Sequence, residues 1–383
     1  MKRIFLIITL LFFLFGLNAQ NKKAYVAGTD DSYKKYGLKQ GNVPEIWEDG
    51  IRTAGKKGTY EWWYFDSHLE DGSKMVVIFY TKPFTDIKSG LTPFISIDID
   101  KPDGTTIKKS YYGKVDEFSA SEKKCDVKIG KNYFRGDLKN YDIHFEDSEL
   151  TIDVKIQRTT ESWRPKTGHF MYGNEGKYFA WLVPVPKGEA DITYTYKGKT
   201  ISSKASCYHD HNFGNEHMLK LINHWYWSRA EIGPYNLIAA ELISDKEFDS
   251  EPVVVFNISK DGKTIADNGE DVKLLRSYGK MQAIAEKPLS DELKFIYESE
   301  NSNIKYEYTL IREKSISEVK LLDAMVKSNF KRAMAKLLTS FDGAYFRLSG
   351  TANLKVYENN CLKEEYNSDK AVWELMYFGK IYK

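Results

Sequence analysis

The sequence predicts an all-β protein whose antiparallel sheets form two barrel-like halves. Short β-type runs recur along the chain with turn residues between them, as in closed or sandwiched antiparallel sheets. The chain contains 26 Tyr, 21 Phe and 8 Trp, which favour strands and a large apolar interior. Its 383 residues are many for one barrel and suit two domains.

Residues 1–20 are predicted to be a cleaved signal peptide. Lys2 and Arg3 give a positive start, residues 4–17 are mostly apolar, and residues 18–20 offer a cleavage region. No cysteine lies there, so a lipoprotein anchor is not expected, and no second apolar run is long enough to span a bilayer. We therefore expect an exported protein, periplasmic or secreted.

Residues 21–56 are polar and rich in Gly and Lys, which predicts a loose lead-in. The strand candidates that follow alternate apolar with polar side chains or are bounded by turn signals such as Asp147-Ser148. In the first half they are residues 75–80, 94–100, 142–146, 150–156, 179–186 and 190–196. In the second half they are residues 236–243, 252–259, 294–297, 304–311, 345–348 and 352–357, with a hairpin turn at 261–263.

One segment of the C-terminal half departs from this pattern. Apolar residues between Val319 and Leu338 recur at roughly helical spacing, with lysines and an arginine among them. The pattern predicts one amphipathic basic helix. Two roles are open for it, packing against a barrel or peripheral contact with a membrane surface.

Composition narrows the partners and cofactors. The formal net charge of +2 gives no basic footprint for nucleic acid. Cys125, Cys207 and Cys361 do not make a disulfide framework, and at most one bridge could form. The chain has no nucleophile elbow, phosphate-binding loop or dinucleotide fingerprint, so no organic cofactor is expected. No feature specifies an oligomeric state.

The strongest chemical signal is the octapeptide Tyr208-His209-Asp210-His211-Asn212-Phe213-Gly214-Asn215. Imidazole and carboxylate groups are the usual proton donors and acceptors near neutral pH. Aromatic clusters accompany the octapeptide, at residues 61–65 and 225–227. Acid–base groups framed by aromatic side chains indicate polar chemistry, or polar recognition, at the end of an apolar pocket.

Several segments resemble, in order, the AttH/carotenoid 1,2-hydratase family of hydroxyneurosporene synthase-like proteins. Residues 61–66, with His68-Leu69 and Asp71-Gly72 after them, resemble its opening signature. Residues 208–214 resemble its second signature, in which tryptophan is common at the position of Phe213. Residues 225–230 continue that signature, and residues 371–377 resemble the end of the family's second domain.

The resemblance implies two lipocalin-like β-barrel domains packed together, at residues 57–218 and 219–383, with a hydrophobic ligand near their junction. Family members hydrate the terminal double bond of acyclic carotenoids, and relatives of the same architecture act as pericyclases or isomerases. The expected partner is therefore a hydrophobic, isoprenoid-like or lipid-like small molecule. In the hydratases the strand after the Trp-x-Trp segment carries a Tyr-x-Asp pair. Here Glu241 takes the acid position, and Ala239 replaces the tyrosine.

Hydration of an isolated alkene requires a neutral proton donor, an aromatic wall that tolerates a carbocation, and an activated water. The predicted acid–base residues are Glu241, Asp210 and His211, with His209 and Asn212 orienting them or holding water. The predicted substrate-binding residues are Trp62, Trp63, Tyr64, Tyr208, Asn212, Phe213, Trp225 and Trp227.

The aromatic run at residues 61–65 is open to two interpretations, pocket wall or core. Strand alternation places Trp62 and Tyr64 on one face and Glu61, Trp63 and Phe65 on the other. A buried glutamate is almost always paired. We expect Glu61 to meet an arginine or a histidine, with Arg229 and His209 as the candidates.

The histidines also allow other interpretations. His209-Asp210-His211 can be a buried polar network that ties two domains together. A metal site that includes His217 and His224 lacks a recognisable ligand spacing, and no metal is predicted. The alternative functions are a non-enzymatic carrier of a hydrophobic ligand and a pericyclase-like or isomerase-like enzyme. Cys207 is expected to be a buried, inert thiol.

Overall fold

The fold is all-β, as the sequence predicts. The computed structural model describes residues 23–277, 279–321, 342–379 and 381. In this part of the chain, two large antiparallel sheets follow one another in sequence, the first within residues 24–214 and the second within residues 222–377. Each sheet curls into a half-barrel around its own apolar core.

The first sheet is built by the N-terminal half of the chain. Its strands are β1 (Ala24–Val26), β2 (Tyr60–Leu69), β3 (Lys74–Tyr80), β4 (Phe94–Asp100), β5 (Thr106–Tyr112), β6 (Phe118–Ala120), β7 (Asp126–Ile129), β8 (Asn132–Gly136), β9 (Asn140–Glu146), β10 (Leu150–Arg158), β11 (His169–Tyr172), β12 (Lys177–Tyr196) and β13 (Lys199–Gly214). They pair in the order β5-β4-β3-β2-β13-β12-β10-β9-β8-β7-β6, while β11 pairs with β12 and β1 pairs with β11.

The second sheet is built by the C-terminal half. Its strands are β14 (Ile222–Ile232), β15 (Tyr235–Ser244), β16 (Pro252–Lys260), β17 (Lys263–Ala266), β18 (Val272–Arg276), β21 (Glu292–Glu298), β22 (Ile304–Lys320), β23 (Ala344–Glu358) and β24 (Cys361–Tyr377), and a small ribbon is formed by β19 (Lys280–Met281) and β20 (Pro288–Leu289). The order is β17-β16-β15-β14-β24-β23-β22-β21-β18. The described helices are α1 (Asp30–Tyr36) and α2 (Met218–Leu221), with 3-10 turns at Ile46–Asp49, Val115–Glu117, Lys246–Phe248 and Gly269–Asp271.

Side-chain alternation explains where the cores lie. Strands such as β3, β4 and β23 alternate buried and partly exposed residues, so each sheet presents one apolar face to its own interior. A third apolar cluster lies between the two sheets, with Tyr60 and Trp181 from the first half and Ile238 and Leu242 from the second. The two half-barrels therefore share a packed junction.

Two pairs of predicted strands are single long strands in the structure. Residues 179–186 and 190–196 both belong to β12, and residues 345–348 and 352–357 both belong to β23. In β12 the register with β13 shifts on either side of Val185. Pro184 and Pro186 have no N–H for the ladder, so the strand bulges there and then continues. The predicted hairpin at Asp147-Ser148 is present between β9 and β10.

The lead-in is not loose, contrary to the prediction for residues 21–56. β1 pairs with β11, and helix α1 begins at the N-cap Thr29 and ends at Gly37 in the left-handed conformation. The 3-10 turn at Ile46–Asp49 carries buried carboxylates into the first half-barrel. Glu48 forms an ion pair with the buried Arg164 at 2.7 Å. Polar residues misled the prediction because they are satisfied by partners far along the chain.

Two predicted segments lie outside the described residues, the signal peptide at 1–20 and most of the basic helix. Val319 and Lys320, at the start of that predicted helix, belong to strand β22. Among the described helices, none combines the length and apolarity that a membrane-spanning segment needs.

Candidate functional site

A cavity of about 140 Å³ lies between the two half-barrels, and we call it the central cavity. Strands β2, β12 and β13 form one wall, and β14, β15 and β24 form the other. Its lining is mostly aromatic and aliphatic with two carboxyl groups: Trp62, Tyr64, Phe179, Trp181, Asp210, Asn212, Trp225, Trp227, Ala240, Leu242 and Glu374. A mostly apolar cavity with a few polar groups is the usual form of a small-molecule site.

Strand alternation decides which residues reach this cavity. On β2, Trp62 and Tyr64 face the cavity, as predicted, whereas Trp63 and Phe65 lie in the core of the first half-barrel. β13 pairs with β2 so that Asp210 lies opposite Tyr64 and Asn212 lies opposite Trp62. The even-numbered residues of both strands therefore form one continuous face toward the second sheet.

Asp210 is the acid–base residue that the structure places in the central cavity. Its Oδ2 accepts hydrogen bonds from Tyr208 Oη (2.9 Å) and Trp181 Nε1 (3.0 Å), and its Oδ1 accepts one from Asn212 Nδ2 (2.6 Å). The residue is only 8% exposed. Burial raises the pKa of this carboxyl to about 7, against the opposing effect of its donors. A neutral carboxylic acid is therefore available near neutral pH.

The raised pKa of Asp210 makes the stability of the protein depend on pH. The folded-state pKa is about 7, whereas an unfolded aspartate titrates near ~3.9. The stability contributed by its protonated form is present below about pH 4 and is lost as the pH rises to about 7. We expect the free energy of unfolding of the wild type, relative to Asp210→Asn, to fall by about 1 kcal/mol per pH unit between about pH 5 and pH 7. Urea titrations at several pH values measure this difference, and a pH-independent difference would contradict the assignment.

Glu374 on β24 supplies the second carboxyl group of the cavity. Tyr345 Oη donates a hydrogen bond to its Oε1 at 2.6 Å. Burial raises the pKa of Glu374, while Tyr345 and Arg347 oppose that rise. Glu374 was not among the site residues predicted from the sequence. Its position within residues 371–377, a segment matched to the family, was the one available signal.

His209 and His211 face away from the central cavity, into the first half-barrel. There they form a buried network with Asp49, Glu61 and Tyr141, which we call the barrel network. His211 Nε2 lies 2.8 Å from Glu61 Oε1, and its Nδ1 lies 3.4 Å from Asp49 Oδ1. His209 Nε2 lies 3.3 Å from Asp49 Oδ2.

The barrel network is charged. Burial raises the pKa of Asp49, but the neighbouring His209 and His211 outweigh it and lower that pKa to about 2. Burial lowers the pKa of His211, but Asp49 and Glu61 outweigh it and raise that pKa. Trp63 stacks on the His211 ring at 4.6 Å. The network connects the lead-in to strands β2 and β13. The two histidines therefore belong to a network that stabilises the fold.

Glu61 meets a histidine, as expected, but the partner is His211. The two candidates named from the sequence are engaged elsewhere. Arg229 donates to Asp66 through Nε at 3.2 Å and through a second guanidinium nitrogen, and His209 Nδ1 lies 2.8 Å from the carbonyl oxygen of Tyr64. Glu61 also accepts from the backbone N–H groups of Arg52 and Thr53.

Glu241 does not face the central cavity, so the predicted acid–base residues do not share one site. Its neighbours Ala240 and Leu242 line the cavity, and alternation turns Glu241 toward the second half-barrel. There it accepts a hydrogen bond from Arg276 Nη1 at 2.9 Å. Burial raises the pKa of Glu241, and Arg276 opposes that rise.

The predicted substrate-binding residues divide between cavity and core. Trp62, Tyr64, Asn212, Trp225 and Trp227 line the central cavity. Tyr208 is fully buried behind it and acts through its hydrogen bond to Asp210. Trp63 and Phe213 point to the opposite side of their strands, and this corrects their assignment to the cavity. Phe179, Trp181, Ala240 and Leu242 line the cavity but were not predicted as site residues.

Among the described residues, one group of side chains could hold a metal ion, and it is not the group that the sequence suggested. Asp49, Cys125 and His209 each offer a ligand atom, and these atoms lie within 4.8 Å of one another. Asp210 is on the other face of β13, His217 accepts from Leu219 N, and the His224 ring stacks on Tyr377. The set considered in the sequence is therefore dispersed.

The three cysteines are free, with Cys125 and Cys207 buried and Cys361 exposed. Burial raises the pKa of the Cys207 thiol well above its ordinary value, which keeps it protonated and unreactive.

The fold and the site define a class of protein, an all-β protein of two curled antiparallel sheets with an acid-bearing aromatic cavity between them. The sequence profile described as Diels-Alderase-like matches residues 53–277. The chain belongs to this Diels-Alderase-like, AttH-like family, and the resemblance seen in the sequence is confirmed.

Individual relatives are distant. The chain is 27% identical over 208 residues to hydroxyneurosporene dehydrogenase of Chlorobaculum tepidum, a match that covers 45% of this chain and 53% of that protein. It thus spans about half the length of this curated relative.

Solved structures share the fold at 12% sequence identity. An AttH-like protein of Nitrosomonas europaea has a TM-score of 0.55, with 88% of this chain and 96% of that chain covered. CghA with Sch210972 gives 0.57, with 89% and 98% covered. Kievitone hydratase of Nectria haematococca gives 0.52, with 94% and 98% covered.

Proposed function

We propose that the protein is a hydratase-like enzyme that acts by acid–base chemistry on an apolar alkene bound in the central cavity. The observation that carries this proposal is Asp210, a buried carboxyl with a pKa near 7 among aromatic side chains. A neutral acid can protonate a carbon–carbon double bond, and aromatic faces stabilise the cation that forms. The name of the relative hydroxyneurosporene dehydrogenase makes an isoprenoid or carotenoid-like alkene the first substrate class to test.

The proposed reaction is balanced by one water molecule. The Oδ1 atom of Asp210 accepts a single hydrogen bond, whereas Oδ2 accepts two, so Oδ1 is the site for the transferable proton. The π electrons of the alkene form the new C–H bond, and the cation develops on the other carbon, facing Trp62, Trp225 and Trp227. Water then adds through its oxygen, and its surplus proton returns to the Asp210 carboxylate or passes to Glu374.

A pericyclase-like enzyme is the second candidate, because the matching family profile is Diels-Alderase-like. In that reaction the cavity walls hold the substrate in a reactive conformation, and Asp210 serves as a hydrogen-bond donor without net proton transfer. A carrier is a weaker interpretation, since a carrier has no need of two carboxyl groups in an apolar cavity. For its location we keep the proposal of export, from residues 1–20.

The test is a mass-spectrometric assay in water enriched with oxygen-18. The mature protein, without residues 1–20, is incubated with detergent-dispersed acyclic carotenoid and with shorter isoprenoid alkenes. We expect a product heavier by one labelled water, absent from heat-inactivated protein. An isomer of the substrate without label would replace the hydratase by the pericyclase-like alternative. Ligand that binds but is recovered unchanged would identify a carrier.

A further inference from the structure

A second, polar space adjoins the central cavity in the groove between the sheets. It encloses about 260 Å³ and is lined by charged side chains that include Asp66, Lys74, Arg229, Glu231 and Arg347; we call it the polar pocket. Tyr64, Trp227 and Glu374 line both spaces. The groove therefore changes from aromatic to charged along its length, with these three side chains at the boundary.

Most charges of the polar pocket are paired between the two sheets. Arg229 on β14 binds Asp66 on β2, and both side chains are about one-tenth exposed. Arg347 on β23 donates to Asp100 on β4 at 2.7 Å. Glu231 forms an ion pair with Lys187 at 2.9 Å. These pairs account for the arginines and for their carboxylate partners.

Lys74 is the cation of the polar pocket that forms no ion pair with any residue in the described part of the chain. It lies directly opposite Asp100 in the pairing of β3 with β4, but Asp100 already accepts from Arg347 and from Thr106. Burial and the charges of Arg347 and Arg229 lower the pKa of the Lys74 ammonium, while Asp100 and Asp66 oppose that fall. A partly buried ammonium that has no ion-pair partner can form a charge-assisted hydrogen bond with a bound anion.

The remaining carboxyl group does not supply that anion. Glu374 accepts its hydrogen bond from Tyr345 and forms no ion pair with Lys74 in the described part of the chain, and burial raises its pKa. The size of the central cavity also indicates a ligand that extends beyond it. A cavity of roughly 150 Å³ holds a benzene-sized group, so the 140 Å³ central cavity accommodates one end of an elongated ligand. The rest of such a ligand must extend along the groove.

We propose that the ligand is amphiphilic, with an apolar body in the central cavity and an anionic head group, such as a carboxylate, bound by Lys74 in the polar pocket. This inference rests on the proposed function for the location of the site, and it adds the chemical class of the substrate. A purely hydrocarbon ligand would leave Lys74 unpaired, whereas a carboxylate would form a charge-assisted hydrogen bond with it.

The test is an equilibrium titration with farnesoic acid and farnesol, two probes of equal chain length with and without the charge. Trp62, Trp181, Trp225 and Trp227 line the cavity, so quenching of intrinsic fluorescence reports binding. We expect the acid to bind about tenfold more tightly than the alcohol, as for a hydrogen bond to a charged group. Lys74→Met is expected to lower the affinity for the acid to that for the alcohol and to leave the affinity for the alcohol unchanged.

Lys108→Met is the matched control, because Lys108 lies on β5, is 74% exposed and pairs with Asp98 outside the groove. It is expected to preserve the preference for the acid. Equal binding of acid and alcohol to the wild type, a preference that survives Lys74→Met, or binding of neither probe would each overturn the inference. A preference for the acid without any hydrated product would reject the proposed reaction and retain the head-group site.

Discussion

Replacing Asp210 with asparagine is expected to lower the rate of product formation by about 10²- to 10⁴-fold, the range typical of a lost general acid. Asparagine has nearly the same shape, but it cannot donate a proton to carbon. The wild-type rate should also fall above about pH 7, roughly tenfold per pH unit, because the protonated carboxyl is depleted above its pKa of about 7. Rates of labelled product formation from about pH 5 to pH 9 measure both effects.

The control for this prediction is Asp98→Asn, which changes the same functional group on β4, where Asp98 pairs with Lys108 outside the cavity. It should retain the wild-type rate and pH profile. Glu374→Gln separates the two carboxyl groups: if Glu374 only receives the proton from water, its loss should slow the reaction less than the loss of Asp210. An Asp210→Asn variant that folds and keeps the wild-type rate would reject Asp210 as the acid.

The largest effect on stability is expected from Glu61→Gln in the barrel network. Glu61 and His211 are fully buried, and Glu61 accepts four hydrogen bonds: from Arg52 N at 2.6 Å, Thr53 N at 2.8 Å, Thr53 Oγ1 at 2.7 Å and His211 Nε2 at 2.8 Å. A glutamine offers one acceptor oxygen and turns an NH₂ group toward another donor. Breaking a buried ion pair in this way costs about 3–5 kcal/mol, which urea unfolding will measure.

The matched control is Glu146→Gln, since Glu146 is 42% exposed and pairs with Lys131 on the surface. Its expected cost is at most about 1 kcal/mol. In the double variant Glu61→Gln/His211→Phe the charge on residue 211 is gone, so the two substitutions should cost less together than the sum of their separate effects. Additive costs would show that Glu61 and His211 do not depend on each other. Because the pKa of His211 is raised in the fold, its contribution should be fully present below about pH 6.5 and be lost as the pH rises through the raised pKa of the folded state.

Much of the fold could be predicted from the sequence because side chains alternate between the two faces of each strand in both half-barrels. Alternation along β2 correctly separates Trp62 and Tyr64 from Trp63 and Phe65, and the strands β3, β4 and β15 overlap the predicted runs. The octapeptide motif also identified Asp210 as a candidate site residue, and Asp210 lines the central cavity. These inferences depend on side chains a few residues apart, whose directions the strand backbone fixes.

The sequence could not show which segments, far apart in the chain, contact one another. Glu374 reaches the cavity from the last long strand, and Asp49 reaches the histidines from the lead-in. Glu241 was assigned from family resemblance, which matches positions along a strand but not the face that meets the second sheet. Register between β14 and β15, which places Tyr226 opposite Glu241, settles that face.

The barrel network has a consequence for where the folding unit begins. The family profile starts at residue 53, whereas the carboxylate that lies between His209 and His211 belongs to Asp49. The ends of this contact are 160 residues apart in the chain. Such long-range closure is slow to form and contributes only once β13 is in place. The region matched by the family profile therefore omits Asp49, whose carboxylate balances the charge of the buried histidines. The first half-barrel is complete only when the segment that precedes residue 53 is included.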